Sequence, residues 1–96
     1  MNLLPGSVRI TADSVILESG KPVRVYWVSL VSGATASVLS LKNGTTSSGT
    51  EYISITGTAN TGIVVNFAGG ALFPGGLFAD ADANISSATF GCTKEL

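Results

Sequence analysis

Residues 22–33 read PVRVYWVSLVSG. Side chains on an extended strand alternate between two faces, so Val23, Val25 and Trp27 fall on one side and Arg24, Tyr26, Val28 and Leu30 on the other. Valine and aromatic residues dominate the run and a glycine closes it. No apolar stripe at helical spacing survives, so the stretch reads as a strand and not a helix. Past its midpoint this strand is apolar on both faces. A strand covered on one side only alternates cleanly between apolar and polar. The far face is therefore expected to be covered as well, by a second layer of the chain or by a partner.

The same period of two runs outward in both directions. Upstream, SVRIT (7–11) sets Val8 and Ile10 opposite Arg9, Ala12-Asp13-Ser14 reads as a turn, and VILES (15–19) is a second short strand. Downstream, TASVLSLKNG (35–44) alternates Ala36 and Val38 with Leu39 and Leu41 and ends on Asn43-Gly44, a strong turn signal. The small polar segment NGTTSSGTE (43–51) reads as an exposed loop. EYISITG (51–57) turns Ile53 and Ile55 inward and leaves Glu51 in solvent. After Asn60-Thr61-Gly62, GIVVNFAG (62–69) places Ile63, Val65 and Phe67 on one face, and ISSATFGCT (85–93) is the final strand. About eight short strands at roughly 8–12-residue spacing predict an all-β chain. The expected architecture is a single small antiparallel β-sandwich or jelly-roll-like barrel over residues 1–96, with residues 1–6 as an arm-like N-terminus. Antiparallel pairing follows because parallel strands need long crossovers.

Residues 71–83, ALFPGGLFADADA, hold the most specific local chemistry. Pro74 pre-sets φ at the second position of a turn and Gly75 accepts positive φ at the third, which predicts a type II turn over Phe73–Gly76. Beyond it, Leu77, Ala79 and Ala81 share one face and Phe78, Asp80 and Asp82 the other. DADAN resembles the opening of an EF-hand loop, but Ile85 stands where that loop needs glycine and Gly91 where it needs glutamate. Asp80, Asp82 and Asn84 remain weak candidates for metal ligands, and no metal or other cofactor is expected. Charges on an edge strand also discourage sheet-to-sheet aggregation, which is the simpler role for these aspartates.

Only 11% of residues are charged, against about 25% in an ordinary domain. The net charge of −1 supplies no field for holding nucleic acid or an anionic membrane surface. No apolar run approaches the length of a membrane helix. MNLLPGSVRI lacks the basic and apolar regions of a signal peptide, so the Asn-Gly-Thr and Asn-Ile-Ser triplets read as chance matches to the glycosylation pattern. A domain this poor in charge needs a Ser/Thr surface, or partners that cover it, to stay dispersed.

The residues of catalysis are missing from the pattern. The chain has no histidine, so Ser-His and Cys-His pairs are excluded. Cys92 is the sole cysteine, its nearest base in sequence is Lys94, and its strand-like setting beside Phe90 predicts a buried, inert thiol. No phosphate-binding loop is present. The chain is therefore expected not to be an enzyme. Adjacent strand residues face opposite ways, so Tyr26 and Trp27 divide between surface and core. Trp27 is assigned to the core and Tyr26, with Arg24, to the other face, where the pair is either ordinary packing or an interface anchor.

From Gly20 onward the chain resembles small β-sandwich virion proteins of tailed bacteriophages, especially marine and cyanobacterial phages. The resemblance rests on the long strand closed by Ser32-Gly33, LKNGTTSSG (41–49), LFPGG (72–76) and DADANISSATF (80–90). It implies a head decoration, or cement, protein made in the host cytoplasm. Such a protein binds the capsid surface and stabilises contacts between major coat subunits, commonly as a dimer or trimer. The alternative is a tail or fibre module that binds a host-surface glycan. The motifs describe a scaffold and transfer no binding residues. From the face assignments, the interface candidates are Arg24, Tyr26, Val28, Leu30, Leu72, Phe73 and Phe78, each of which could equally be core.

Overall fold

The computed structural model describes residues 3–11, 14–15 and 21–95. None of these is helical. The strands are β1 (Leu3–Ile10), β2 (Ser14–Val15), β3 (Val23–Ser32), β4 (Ser37–Asn43), β5 (Thr50–Gly57), β6 (Gly62–Phe73), β7 (Leu77–Ala81) and β8 (Ile85–Glu95). β3 to β8 make two three-stranded antiparallel layers, β8-β3-β6 and β7-β4-β5. β1 extends the first beside β8, and the two-residue β2 extends the second beside β7. Residues 3–6, expected as an arm, belong to β1 and pair along β8 from Leu3↔Glu95 to Gly6↔Cys92. The expected turn at residues 12 and 13 and most of VILES lie outside the described residues.

The pairing is nested. β4 pairs with β5, β3 with β6, β2 with β7 and β1 with β8. Contacts β3–β8 and β4–β7 knit these pairs into the two sheets. One long hairpin has thus been rolled up on itself, which is the jelly-roll arrangement. Every described connection except β4–β5 passes from one sheet to the other.

The core lies between the layers. Val23, Val25, Val28, Leu30, Leu39, Leu41, Phe73, Leu77 and Phe90 are wholly buried, and each such side chain stabilises the fold by roughly 1.5–3 kcal/mol. The alternation read from sequence holds on β5 (Ile53 and Ile55 inward), β6 (Ile63, Val65, Phe67) and β7 (Leu77, Ala79, Ala81). It fails on β3. The register of β3 slips between Val25 and Trp27 against both neighbours, β6 and β8. Against β8 Tyr26 is the extra residue, a β-bulge that resets the period; against β6 it stands opposite Phe67–Gly70. Val28 and Leu30 therefore join Val23 and Val25 inside, and Trp27 turns outward. The opposing layer covers β3 on this single inward face, so its doubly apolar appearance came from a phase change.

The glycine pair Gly69-Gly70 also changes the reading. Its φ values of 77° and 84° are open to glycine and strained for other residues. They form a second bulge, through which GIVVNFAG and GALF run on as one 12-residue strand. The Pro-Gly turn closes as expected, with Gly76 N–H donating to Phe73 O at 3.2 Å. Its positive φ of 105° falls on Gly76 and not on Gly75. The type II expectation is thus replaced by a turn that ends on glycine at its fourth position. Nor does it close a hairpin: β6 and β7 lie in different sheets, so the turn arches over the core. Asn43 Oδ1 accepts from Gly75 N–H at 2.7 Å and Gly76 O accepts from Gly44 N–H at 3.0 Å, tying the arch to the β4–β5 loop.

At the opposite end, Ser32 and Ser37 share a buried hydroxyl–hydroxyl hydrogen bond of 2.6 Å. Gly57 packs directly beneath it, with no room for a side chain.

Candidate interaction surface

The seven interface candidates separate into three places. Val28, Leu30 and Phe73 are fully buried, so for them the core reading replaces the interface one. Phe78 sits half-buried on the outer face of β7, away from the others. Arg24, Tyr26 and Leu72 meet on the outer face of the β3–β6 ribbon, where Arg24 and Leu72 are directly paired across the strands.

Trp27 completes this patch, and sequence alternation missed it because the bulge at Tyr26 is invisible to a period-two reading. Glycines shape the surface. A methyl group at Gly91, on β8, would overlap the Trp27 indole, so the ring lies across bare backbone there. The Arg24 stem and the Tyr26 ring cross Gly70 in the same way, and Arg24 Nη1 donates to Gly69 O at 3.4 Å. Tyr26 remains 38% and Leu72 45% exposed. The result is a low, mainly apolar platform with one guanidinium at its margin. Arginine, tyrosine and tryptophan are the side chains that dominate protein interfaces, and they lose little freedom when already braced against backbone.

The aspartates are otherwise engaged. Asp80 Oδ2 lies 2.7 Å from Lys42 Nζ, which also donates to Ser47 O at 2.8 Å and so pins the β4–β5 loop. Asp82 accepts from Val38 N–H at 2.8 Å and from Asn84 N–H at 2.9 Å. These bonds bind strand ends and a turn to one another and leave the carboxylates turned to different partners. Among the described residues, no three His, Cys, Asp or Glu side chains converge as a metal site.

Cys92 is buried on β8, and burial pushes its thiol above the ordinary value of 9.0. The folded state therefore favours the protonated form. That contribution is fully present below the thiol's ordinary value and is lost as pH rises through the raised folded value. Stability measured by denaturant titration is expected to fall with pH above about 9, and Cys92→Ala is expected to flatten that part of the profile. A thiol reagent at neutral pH is expected to label Cys92 only on unfolding.

Compared with known proteins, the chain matches no family model, no curated protein and no solved structure.

Proposed function

We propose that this chain is a non-enzymatic virion protein of a tailed bacteriophage, a decoration protein that binds the outer surface of the head and stabilises contacts between major coat subunits. The observation that carries the reading is the outward platform of half-buried Arg24 and Trp27 with exposed Tyr26 and Leu72, held on the sheet by two bulges and by close approach to glycine backbone. Its composition fits docking onto a protein surface. The low charge is consistent with a chain that works by burying area, and many copies on one shell would multiply a modest single-site affinity through avidity. The resemblance of its sequence motifs to small virion β-sandwich proteins supplies the biological setting.

The outward, half-buried Trp27 beside exposed Tyr26 also supports a second reading, a tail or fibre module that stacks a host glycan on these rings. Copy number separates the two. Quantitative mass spectrometry of purified particles is expected to find this chain at hundreds of copies per particle, in a simple ratio to the coat protein. A handful of copies would favour the tail reading, and none would overturn both. The platform is tested directly by Tyr26→Ala with Leu72→Ala. Both side chains are exposed, so the variant is expected to fold and to lose at least tenfold in affinity for capsids lacking the protein, a change of about 1.4 kcal/mol. Undiminished binding by the folded variant would exclude the platform.

A further inference from the structure

β6 is an edge. It pairs with β3 on one side, and among the described residues no strand lies beyond it. An exposed edge presents a row of unpaired N–H and C=O groups, and proteins blunt such rows with charge, proline, bulges or a cover. From Gly62 to Phe73 the strand carries no charged residue. Its one bulge, at Gly69-Gly70, twists only the far end. The segment 62–66 has none of these protections: it pairs with β3 in unbroken register and carries no charge. Val64 points outward and is 62% exposed, while Ile63, Val65 and Phe67 pack against the core and stay only partly covered.

We infer that β6 of one molecule pairs antiparallel with β6 of a second copy about a two-fold axis near Val65, joining two sheets into one. Unsatisfied backbone groups in a row call for a strand as the occupant. The absence of charge suits this same strand: in an isologous pair each residue meets the strand's own set in reverse order, and a strand with no charge brings no like charges together. A charged partner strand would find nothing here to neutralise it. In this register Ile63 of one copy faces Phe67 of the other on the inner side, and Val64 faces Asn66 on the outer side. The pairing covers the half-exposed inner residues, leaves the Tyr26–Trp27 platform free, and does not depend on the virion reading.

Sedimentation equilibrium of the full chain over low to high micromolar concentration tests it. The wild type is expected to approach twice the chain mass. Val64→Lys with Asn66→Lys changes two exposed positions and sets lysine against lysine across the axis, so this variant is expected to stay at the monomer mass. Val64→Lys with Asn66→Glu sets lysine against glutamate and is expected to restore the dimer, which shows that loss in the first variant is not a folding failure. A wild type that remains monomeric or forms a trimer, a Lys/Lys variant that still dimerises, or a Lys/Glu variant that does not would each overturn the proposal.

Discussion

Phe73→Ala is expected to remove about 3–5 kcal/mol of stability and leave much of the protein unfolded at 37 °C. Phe73 is the last residue of β6, fully buried, and directly precedes the arch that carries the chain into β7. Its ring stacks on Tyr52 with centroids 5.4 Å apart and planes 24° apart, so truncation removes a core side chain and the surface on which Tyr52 rests. Domains of this size have a total stability of roughly 5–14 kcal/mol, of which this one change takes a large share. Urea titration monitored by tryptophan fluorescence would give the difference. A loss below about 1 kcal/mol would mean that the site collapses around the gap and that Phe73 is not a principal core residue.

The second large effect is expected from Gly57→Ala, a substitution that adds a single methyl group. That methyl would overlap Ser32 Oγ and press on Ser37 Oγ and Leu30. Ser37 is fully buried and Ser32 nearly so. Moving either hydroxyl breaks their hydrogen bond and strands a polar atom, which costs about 1–3 kcal/mol, and overpacking adds a similar amount. The expected loss is about 2–5 kcal/mol. A double-mutant cycle dissects the cause. Ser32→Ala alone leaves Ser37 without its partner and is expected to destabilise, while Ser32→Ala with Ser37→Ala is expected to recover part of the loss because neither hydroxyl remains to be satisfied. In the double-alanine background the penalty of Gly57→Ala is expected to shrink. An unchanged penalty would assign the effect to the backbone of β5.

These two positions also mark what a sequence can disclose. Strand character, the turns at Asn43-Gly44 and Asn60–Gly62, and the inward faces of β5, β6 and β7 were legible, because each rests on a local period or on local turn chemistry. The phase of β3 was not. A bulge leaves no local mark at Tyr26: it exists because two neighbouring strands fix the register on either side. From that one slip followed the misplacement of Val28, Leu30 and Trp27, and with it the wrong membership of the platform. The role of the Pro-Gly turn was equally non-local. Its chemistry is readable in four residues, but whether it closes a hairpin or arches between layers depends on which strands β6 and β7 pair with. Gly57, Gly70 and Gly91 look like ordinary strand-breaking glycines until the side chains that cross them are in place.

The nested pairing has a consequence in time. β8 lies between β1 and β3 in the first sheet, so the strand that joins β1 to β3 is synthesised after the seven others described. Translation from β1 through β8 takes on the order of 5–20 s at cellular rates. Throughout that interval β1 and β3 have no strand to join them. The β4–β5 hairpin, closed by six residues, can form early, whereas pairing Leu3 with Glu95 requires closure of nearly the whole chain. Assembly of the sheet that carries the platform therefore waits for β8, and until it arrives the nascent chain must keep its uncharged β6 edge from meeting another.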